Sequence, residues 1–331
     1  MIIRITFLLY IIVGGKTFLY NALVGAYYDK DKNFISGIYV SGSNPIGSVM
    51  DHGSYHLIIP SDCKYIRVSV NDNDSPKEWE LDSKFAAAKT IVWFGDSIVG
   101  NTKDELSVTE QLSICTGALV YDMGFGGCTM SARPEDWDLC SMYKLADYIY
   151  YDDFTLLVRE TEIGWEGMPG YFRNTARVLA DEIDFKDVDV IIISFGTNDY
   201  RRPTSILENI EDDEDVNSVC GALRHTIRRI QDKYPKISII VTSPIYRFFL
   251  DDDNRVLYDS NEHDFGSGTL KRYSDSYKAV CEELDVSYLD LYNDSLINET
   301  IRDIYFSDGG THPNADGRKE MVRLLSEYLN Q

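Results

Sequence analysis

Four short segments carry the groups from which nucleophilic acyl chemistry can be assembled: a hydroxyl, an imidazole, a carboxylate and a neutral amide donor. They are Gly95-Asp96-Ser97-Ile98, Gly124-Phe125-Gly126-Gly127-Cys128-Thr129, Gly196-Thr197-Asn198-Asp199 and Asp308-Gly309-Gly310-Thr311-His312-Pro313-Asn314. Each taken alone has a plainer reading. Ser97 suits a helix N-cap, the glycine run a tight loop, Asn198-Asp199 an Asx-turn, and the last segment a loop before a terminal helix. Their order along the chain and their placement at strand ends raise them above those readings.

The elements that must position them begin near residue 86, where apolar runs alternate with amphipathic helices. The runs are Thr90 to Phe94, Ala118 to Tyr121, Val188 to Phe195, Ile237 to Val241 and Ser287 to Leu291. Continuous rather than alternating apolar strands are what a parallel sheet buried on both faces requires. Ser107-Val108-Thr109-Glu110 is a capping-box start for a helix that stops near Gly117. Val216, Val219, Cys220, Leu223, Ile227 and Ile230 recur at helical spacing until Pro235, and Met321 to Leu329 mark a C-terminal helix. Five strands with crossover helices give a doubly wound α/β domain, in which ligands bind beyond the carboxyl ends of the strands. Three of the four segments sit at such ends, and the fourth follows the last strand.

Residues 1 to about 72 read differently, as short strands broken by turn residues with no helical stretch, which points to a small β-sandwich over residues 1–85. The polar, proline-bearing stretch from Asn71 to Glu78 suits the boundary between it and the domain at 86–331. Its Asp and Asn side chains invite a calcium reading, but no full ligand set is visible and a solvated loop is the plainer one. The apolar start, Met1 to Gly15, is shorter than the roughly 20 residues a membrane-spanning helix needs. Its β-branched and aromatic content reads as a strand more readily than as a signal segment.

Composition excludes several classes. With 54 Asp and Glu against 32 Lys and Arg, the net charge is −22, so the chain lacks the basic stripes that hold nucleic acid and is not expected to adhere unaided to an anionic membrane. Its 44% hydrophobic content is enough for real cores. The six cysteines, Cys63, Cys115, Cys128, Cys140, Cys220 and Cys281, show neither disulfide-framework nor zinc spacing. The acidic runs Glu211 to Asp215 and Asp251 to Asp253 read as solvated faces rather than metal sites. No cofactor or metal is expected.

Together the four segments resemble the SGNH (GDSL-type) hydrolase family, over roughly residues 88 to 331. The resemblance implies a flavodoxin-like five-stranded sheet and esterase chemistry with Ser97 as nucleophile and His312 as general base. The implied oxyanion donors are the backbone N–H groups of Ser97 and Gly127 and the side-chain amide of Asn198, with Gly126 the fallback if the register slips by one. A glycine at that place lets backbone approach the tetrahedral oxygen, and an asparagine amide is a neutral donor. Among other histidines, His225 falls on a polar helix face, and His52, His56 and His263 lie away from strand ends. The family pattern is Asp-x-x-His, whereas here Gly309 stands three before His312 and Asp308 four before. Gly309-Gly310 can absorb the extra residue as a bulge. Asp308 is then the third member; a Ser-His dyad, or another acid such as Asp303, is the alternative. Asp96 and Asp199 read as loop-shaping acceptors, and Trp93, Trp165 and Tyr200 as candidates for lining a pocket or for plain packing.

Tyr27 to Gly37 and Ile59 to Val68 look like β-sandwich modules of phage tail proteins and of bacterial surface enzymes acting on glycans. That resemblance implies delivery of the catalytic domain to a polysaccharide, an O-acetylated glycan as substrate, and an extracellular or virion-associated location. A short-chain acyl esterase or lysophospholipase, and an inactive adhesin on a hydrolase fold, are the alternatives. Specificity rests on the long insert between residues 129 and 187, whose shape the sequence does not disclose.

Overall fold

Runs of β-branched residues make the strands of the larger unit: Thr90–Gly95 (β1), Leu119–Gly124 (β2), Val190–Ser194 (β3), Ser238–Thr242 (β4) and, after a hairpin of Phe248–Leu250 (β5) and Val256–Asp259 (β6), Ser287–Leu289 (β7). A computed structural model of the chain describes residues 89–104, 106–134, 136–206, 213–300 and 302–330, and before them the strands at 6–7, 22–28, 34–40, 55–56 and 65–68. The sheet order is β7-β4-β3-β1-β2, every pair parallel. The direction of winding reverses between β1 and β3, which places a crevice at their carboxyl ends.

Alternation along each strand divides the core into two layers. Ile91, Trp93, Ile192 and Ile240 face one side, where they meet Leu112 of Val108–Thr116 (α1) and Met321 and Leu325 of the C-terminal helix Ala315–Leu329. Val92, Phe94, Ile191, Ile193 and Val241 face the other. There they meet Leu145 and Ile149 of Met142–Tyr151 (α2) and Leu223 and Ile227 of Val219–Lys233. Both faces being apolar explains why these strands are unbroken hydrophobic runs.

Local chemistry sets the helix ends. Ser107 caps α1 by accepting the Glu110 N–H at 3.1 Å, and Gly117 closes it in the left-handed region at φ 66°. The helix expected from Val216 starts instead at Val219, because the Ser218 hydroxyl takes the Gly221 N–H and so fixes the first turn. The insert proves helical, adding Thr155–Ile163 (α3) and Phe172–Asp181 (α4) after α2. No helix among the described residues is long and apolar enough to cross a membrane.

The chain divides into two compact units, 1–88 and 89–331. In the first, Ala22–Tyr28 pairs antiparallel with Phe34–Val40 and with Tyr65–Val68, and Thr6–Phe7 pairs with Tyr55–His56. Nothing more of the sandwich expected over 1–85 falls among the described residues. The readings of Met1 to Gly15 as one segment and of Asn71 to Glu78 as a boundary or calcium loop lie outside them too.

The turn after β1 rests directly on the end of β2. A Cβ on Gly124 would lie 2.3 Å from the Gly100 nitrogen, and one on Gly100 would lie 2.5 Å from the Gly124 carbonyl oxygen. Both neighbours are backbone and cannot swing aside. Gly124→Ala is expected to cost about 1–3 kcal/mol, read as a lower urea midpoint with unchanged slope.

Candidate active site

β1 delivers Ser97 to the crevice. The strand ends at Gly95, and Asp96 caps the short helix Ser97–Gly100 by accepting the Ile98 N–H at 2.9 Å. Ser97 therefore stands at the first helical position, with its own N–H free of any partner among the described residues. Asp96 is 1% exposed. Burial pushes its carboxyl up to about 6, opposed by the Ile98 N–H and by the nearby His312 and Arg247 side chains.

The imidazole arrives from the other end of the chain. His312 Nε2 lies 2.8 Å from Ser97 Oγ, and His312 Nδ1 is hydrogen-bonded to Asp308 Oδ2. The second carboxylate oxygen, Oδ1, accepts the N–H of His312 at 2.8 Å and that of Thr311 at 3.1 Å. Burial raises the Asp308 carboxyl, but these bonds from His312 and Thr311 outweigh it and hold the group below the usual carboxylate range. The four-residue spacing is accommodated by Gly309 at φ 76° and Gly310 at φ 117°. The loop is closed by Ser307 N–H donating to the His312 carbonyl at 3.0 Å and by a bridge between Phe306 and Pro313. A side chain at 310 is barred, since its Cβ would lie 2.4 Å from the Phe248 carbonyl oxygen. The side chain of Asp303 lies outside the described residues.

The remaining donors come from the turns after β2 and β3. Asn198 donates one amide hydrogen to the Cys128 carbonyl at 2.8 Å, which orients the group and leaves its second hydrogen available. Asp199, fully buried, accepts the Met130 N–H at 2.9 Å, the Ser131 N–H at 3.1 Å and the Ser131 hydroxyl at 2.5 Å. The two turns are thereby laced together. Gly127 has φ 79°, and its carbonyl accepts from Arg133 at 2.6 Å; its N–H has no partner among the described residues. The Gly126 N–H, by contrast, donates to the Tyr171 hydroxyl at 2.9 Å, and Tyr171 donates onward to Asn101 Oδ1 at 2.9 Å. Gly126 is thus occupied elsewhere.

The other residues considered take structural places. Trp93 is fully buried and donates to Ser194 Oγ at 2.8 Å, and Tyr200 is fully buried with its hydroxyl on the His263 carbonyl. Neither lines a pocket: the alternation of β1 turns Trp93 into the sheet layer. Trp165 packs edge-on against Trp137 and Phe172. His225 pairs with Asp147 at 2.9 Å, and His263 stacks on Tyr258. His56 belongs to a strand of the first unit, and His52 lies outside the described residues. Two participants escape sequence reading, Tyr171 in the insert and Arg247 after β4. Arg247 does leave a signal, a lone cation inside the apolar run Ile245 to Leu250.

A serine hydroxyl in line with an imidazole whose far nitrogen is held by a carboxylate, beside unoccupied N–H donors, is an arrangement able to form and cleave an acyl-serine. The model of the GDSL-like lipase/acylhydrolase family matches residues 93–319. The chain belongs to that family. Among solved structures, one aligns with this family member at TM-score 0.54 and 22% identity, covering 73% of this chain and 96% of its own. A protein from Lactobacillus plantarum aligns at TM-score 0.52 and 20% identity, covering 74% and 98%. A carbohydrate acetylesterase from Sinorhizobium meliloti aligns at TM-score 0.41 and 17% identity, covering 73% and 98%. The first two likenesses are of fold. No curated protein matches the sequence.

Asp96 gives this acylhydrolase fold a pH signature. A carboxyl raised from 3.8 to about 6 on folding stabilises the native state fully below pH 3.8, and that contribution is lost as pH rises through 6. Wild type should lose on the order of 3 kcal/mol between pH 4 and pH 7 from this group. Asp96→Asn keeps the acceptor for Ile98 and should flatten that slope in urea unfolding measured across the same range.

Proposed function

We propose that the chain is a serine esterase that removes O-acetyl groups from a polysaccharide. The observation that carries the reading is the line Ser97 Oγ, His312 and Asp308, set at the crevice between β1 and β3. Ser97 Oγ attacks the acetyl carbonyl carbon while His312 Nε2 takes its proton. The carbonyl oxygen, now an oxyanion, is held by the N–H groups of Ser97 and Gly127 and by the Asn198 amide. Collapse of the tetrahedral adduct releases the sugar oxygen, which receives the proton back from His312. Water then repeats the sequence on the acetyl-serine, regenerating the hydroxyl and releasing acetate. Asp308 fixes the imidazole tautomer and stabilises the imidazolium.

Two features support a short acyl group on a hydroxylated alcohol. A Cβ on Gly127 would lie 3.3 Å from the Trp137 ring, which packs edge-on against Trp165 and Phe172, so an aromatic wall stands beside that donor. The ground next to the nucleophile is polar: a Cβ on Gly126 would lie 2.6 Å from the Tyr171 hydroxyl, 2.9 Å from Asn101 Oδ1 and 3.4 Å from Ser97 Cβ. Hydroxyl and amide groups there suit a sugar better than an alkyl chain. In this reading residues 1–85 are a sandwich module that holds the enzyme to its polysaccharide, on a cell surface or a virion.

Hydrolysis of p-nitrophenyl acetate, butyrate and octanoate tests the proposal, beside acetate release from an acetylated xylan. We expect the acetate ester to be preferred, activity to vanish in Ser97→Ala, and Asp308→Ala to slow turnover strongly. Rates that climb with chain length would replace the glycan reading with a lipid one, and turnover no higher than that of Ser97→Ala would point to an inactive fold. Asn198→Ala should lower kcat by about 10²–10³ with little change in KM.

A further inference from the structure

Arg247 is a charge in the wrong place for stability. It is 6% exposed, and no carboxylate among the described residues pairs with it directly. Burial presses its pKa down to about 10, against the through-space pull of Asp96 and of the Tyr200 and Asp308 groups. Taking an ion out of water is costly unless hydrogen bonds and opposite charge offset it, and a well-packed apolar side chain of similar size is commonly as stable or more so. A buried cation retained on such terms points to a task.

Its contacts name the task. Nη1 donates to Thr197 Oγ1 at 2.9 Å and to the Thr197 carbonyl at 3.3 Å, and Nη2 donates to Thr311 Oγ1 at 2.8 Å. Thr197 precedes Asn198, and Thr311 precedes His312. One rigid fork therefore spans the loop that carries the amide donor and the loop that carries the imidazole, which no strand pairing joins. The fork is itself immobilised. Its guanidinium lies 4.5 Å from the Phe249 ring centre, and its main chain exchanges hydrogen bonds with Ser260 on the facing strand's end, N–H to Oγ at 3.1 Å and carbonyl to N–H at 2.9 Å. Nε is buried without a partner, so its two terminal nitrogens make all of the guanidinium's hydrogen bonds, and all of these go to the two threonines.

We propose that Arg247 is the positioning residue of this site, a two-armed tether that sets the separation between the Asn198 amide and the His312 imidazole. The inference rests on the serine-esterase reading. It assigns Arg247 no contact with substrate and no proton. A planar fork can span two acceptors at fixed distance, whereas a lysine ammonium on a flexible stem reaches one or the other. Displacement of catalytic groups by about 1 Å costs about 10²-fold in rate, so the tether should act on kcat and leave KM nearly unchanged.

The test is steady-state hydrolysis of p-nitrophenyl acetate by the full chain, wild type beside Ser97→Ala, Arg247→Met, Arg247→Lys, Thr197→Val, Thr311→Val and the double valine variant, each with a thermal melt. Arg247→Met should lose about 10²-fold in kcat with KM within a few-fold, and Arg247→Lys should fall near it. Thr311→Val, which removes the only acceptor of Nη2, should lose roughly tenfold, and Thr197→Val, which leaves Nη1 its bond to the Thr197 carbonyl, should lose less. Once the Thr311 arm is gone Nη1 has nothing to span, so the double variant should lose much less than the product of the two. If Arg247→Met does not fold, the three threonine variants, which keep the arginine, decide the question. Wild-type kcat in Arg247→Lys, losses in the two valine variants that simply multiply, or a loss carried wholly by KM would overturn the inference. Activity that survives in Ser97→Ala would instead overturn the esterase reading on which it rests.

Discussion

A single hydrogen bond, Ser97 Oγ to His312 Nε2 at 2.8 Å, joins residues 215 positions apart, and most of the larger unit can be understood as what is required to hold it. Neither partner can be brought there by local structure. Ser97 depends on β1 lying centrally in the sheet, between β2 and β3, and on a turn tight enough to project the first residue after Asp96. That turn is possible only because Gly100 and Gly124 touch backbone to backbone. His312 depends on the last loop returning over the same edge, closed by the bridge between Phe306 and Pro313. The doubly wound order supplies the one place where two such approaches meet, since the crossovers diverge from the gap between β1 and β3.

Holding that bond brings charge indoors. Asp96, Asp199 and Arg247 are all buried, and each is desolvated enough to shift its ionisation toward the neutral form. They are made tolerable in different ways. Asp199 is surrounded by donors from Met130 and Ser131. Asp96 accepts from Ile98 and feels the nearby Arg247 charge, while Arg247 gives its terminal nitrogens to two threonines. In a low-dielectric setting such fixed groups exert more force than in water. The same setting makes removal of any single partner expensive, because an uncompensated charge remains.

The strands were legible because they follow from short-range rules, and the four segments because their order and their place at strand ends resemble a known family. Five apolar runs buried on two faces announce a parallel sheet, and what lies at their carboxyl ends is bounded by topology. Loop detail was less accessible. Whether Asp308 can meet His312 across four residues depends on two glycines with positive φ and on closure through Ser307, a matter of geometry rather than of residue type. The choice between Gly126 and Gly127 turns on Tyr171, 45 positions away in an insert with no distinguishing pattern. Trp93 and Tyr200 look like pocket residues because aromatic rings near strand ends often are; strand alternation sends the first inward, and a bond to the His263 carbonyl holds the second. Arg247 could have been found, since a lone cation amid Ile245, Tyr246, Phe248 and Phe249 violates the burial pattern around it.

The contribution of the segment between β2 and β3 is mechanical. Tyr171 accepts from Gly126 and donates to Asn101, the residue that caps the helix begun by Ser97. It thereby ties the second turn back to the first. Asn198 and Asp199 tie the third turn to the second, Arg247 ties the fourth to the third, and Ser97 with His312 completes the circuit. Each link is made by a side chain that reaches across sequence, so no loop's position is set by its own residues alone. In the proposed reaction, donors held by such a closed ring need not reorganise when charge develops on a bound carbonyl oxygen, and preorganisation of this kind is usually the largest single term in catalysis. The ring also accounts for the tolerance of an unusual Asp308 spacing: once His312 is fixed from Ser97 on one side and through Thr311 on the other, the acid has only to reach Nδ1, and two glycines give it the slack to do so.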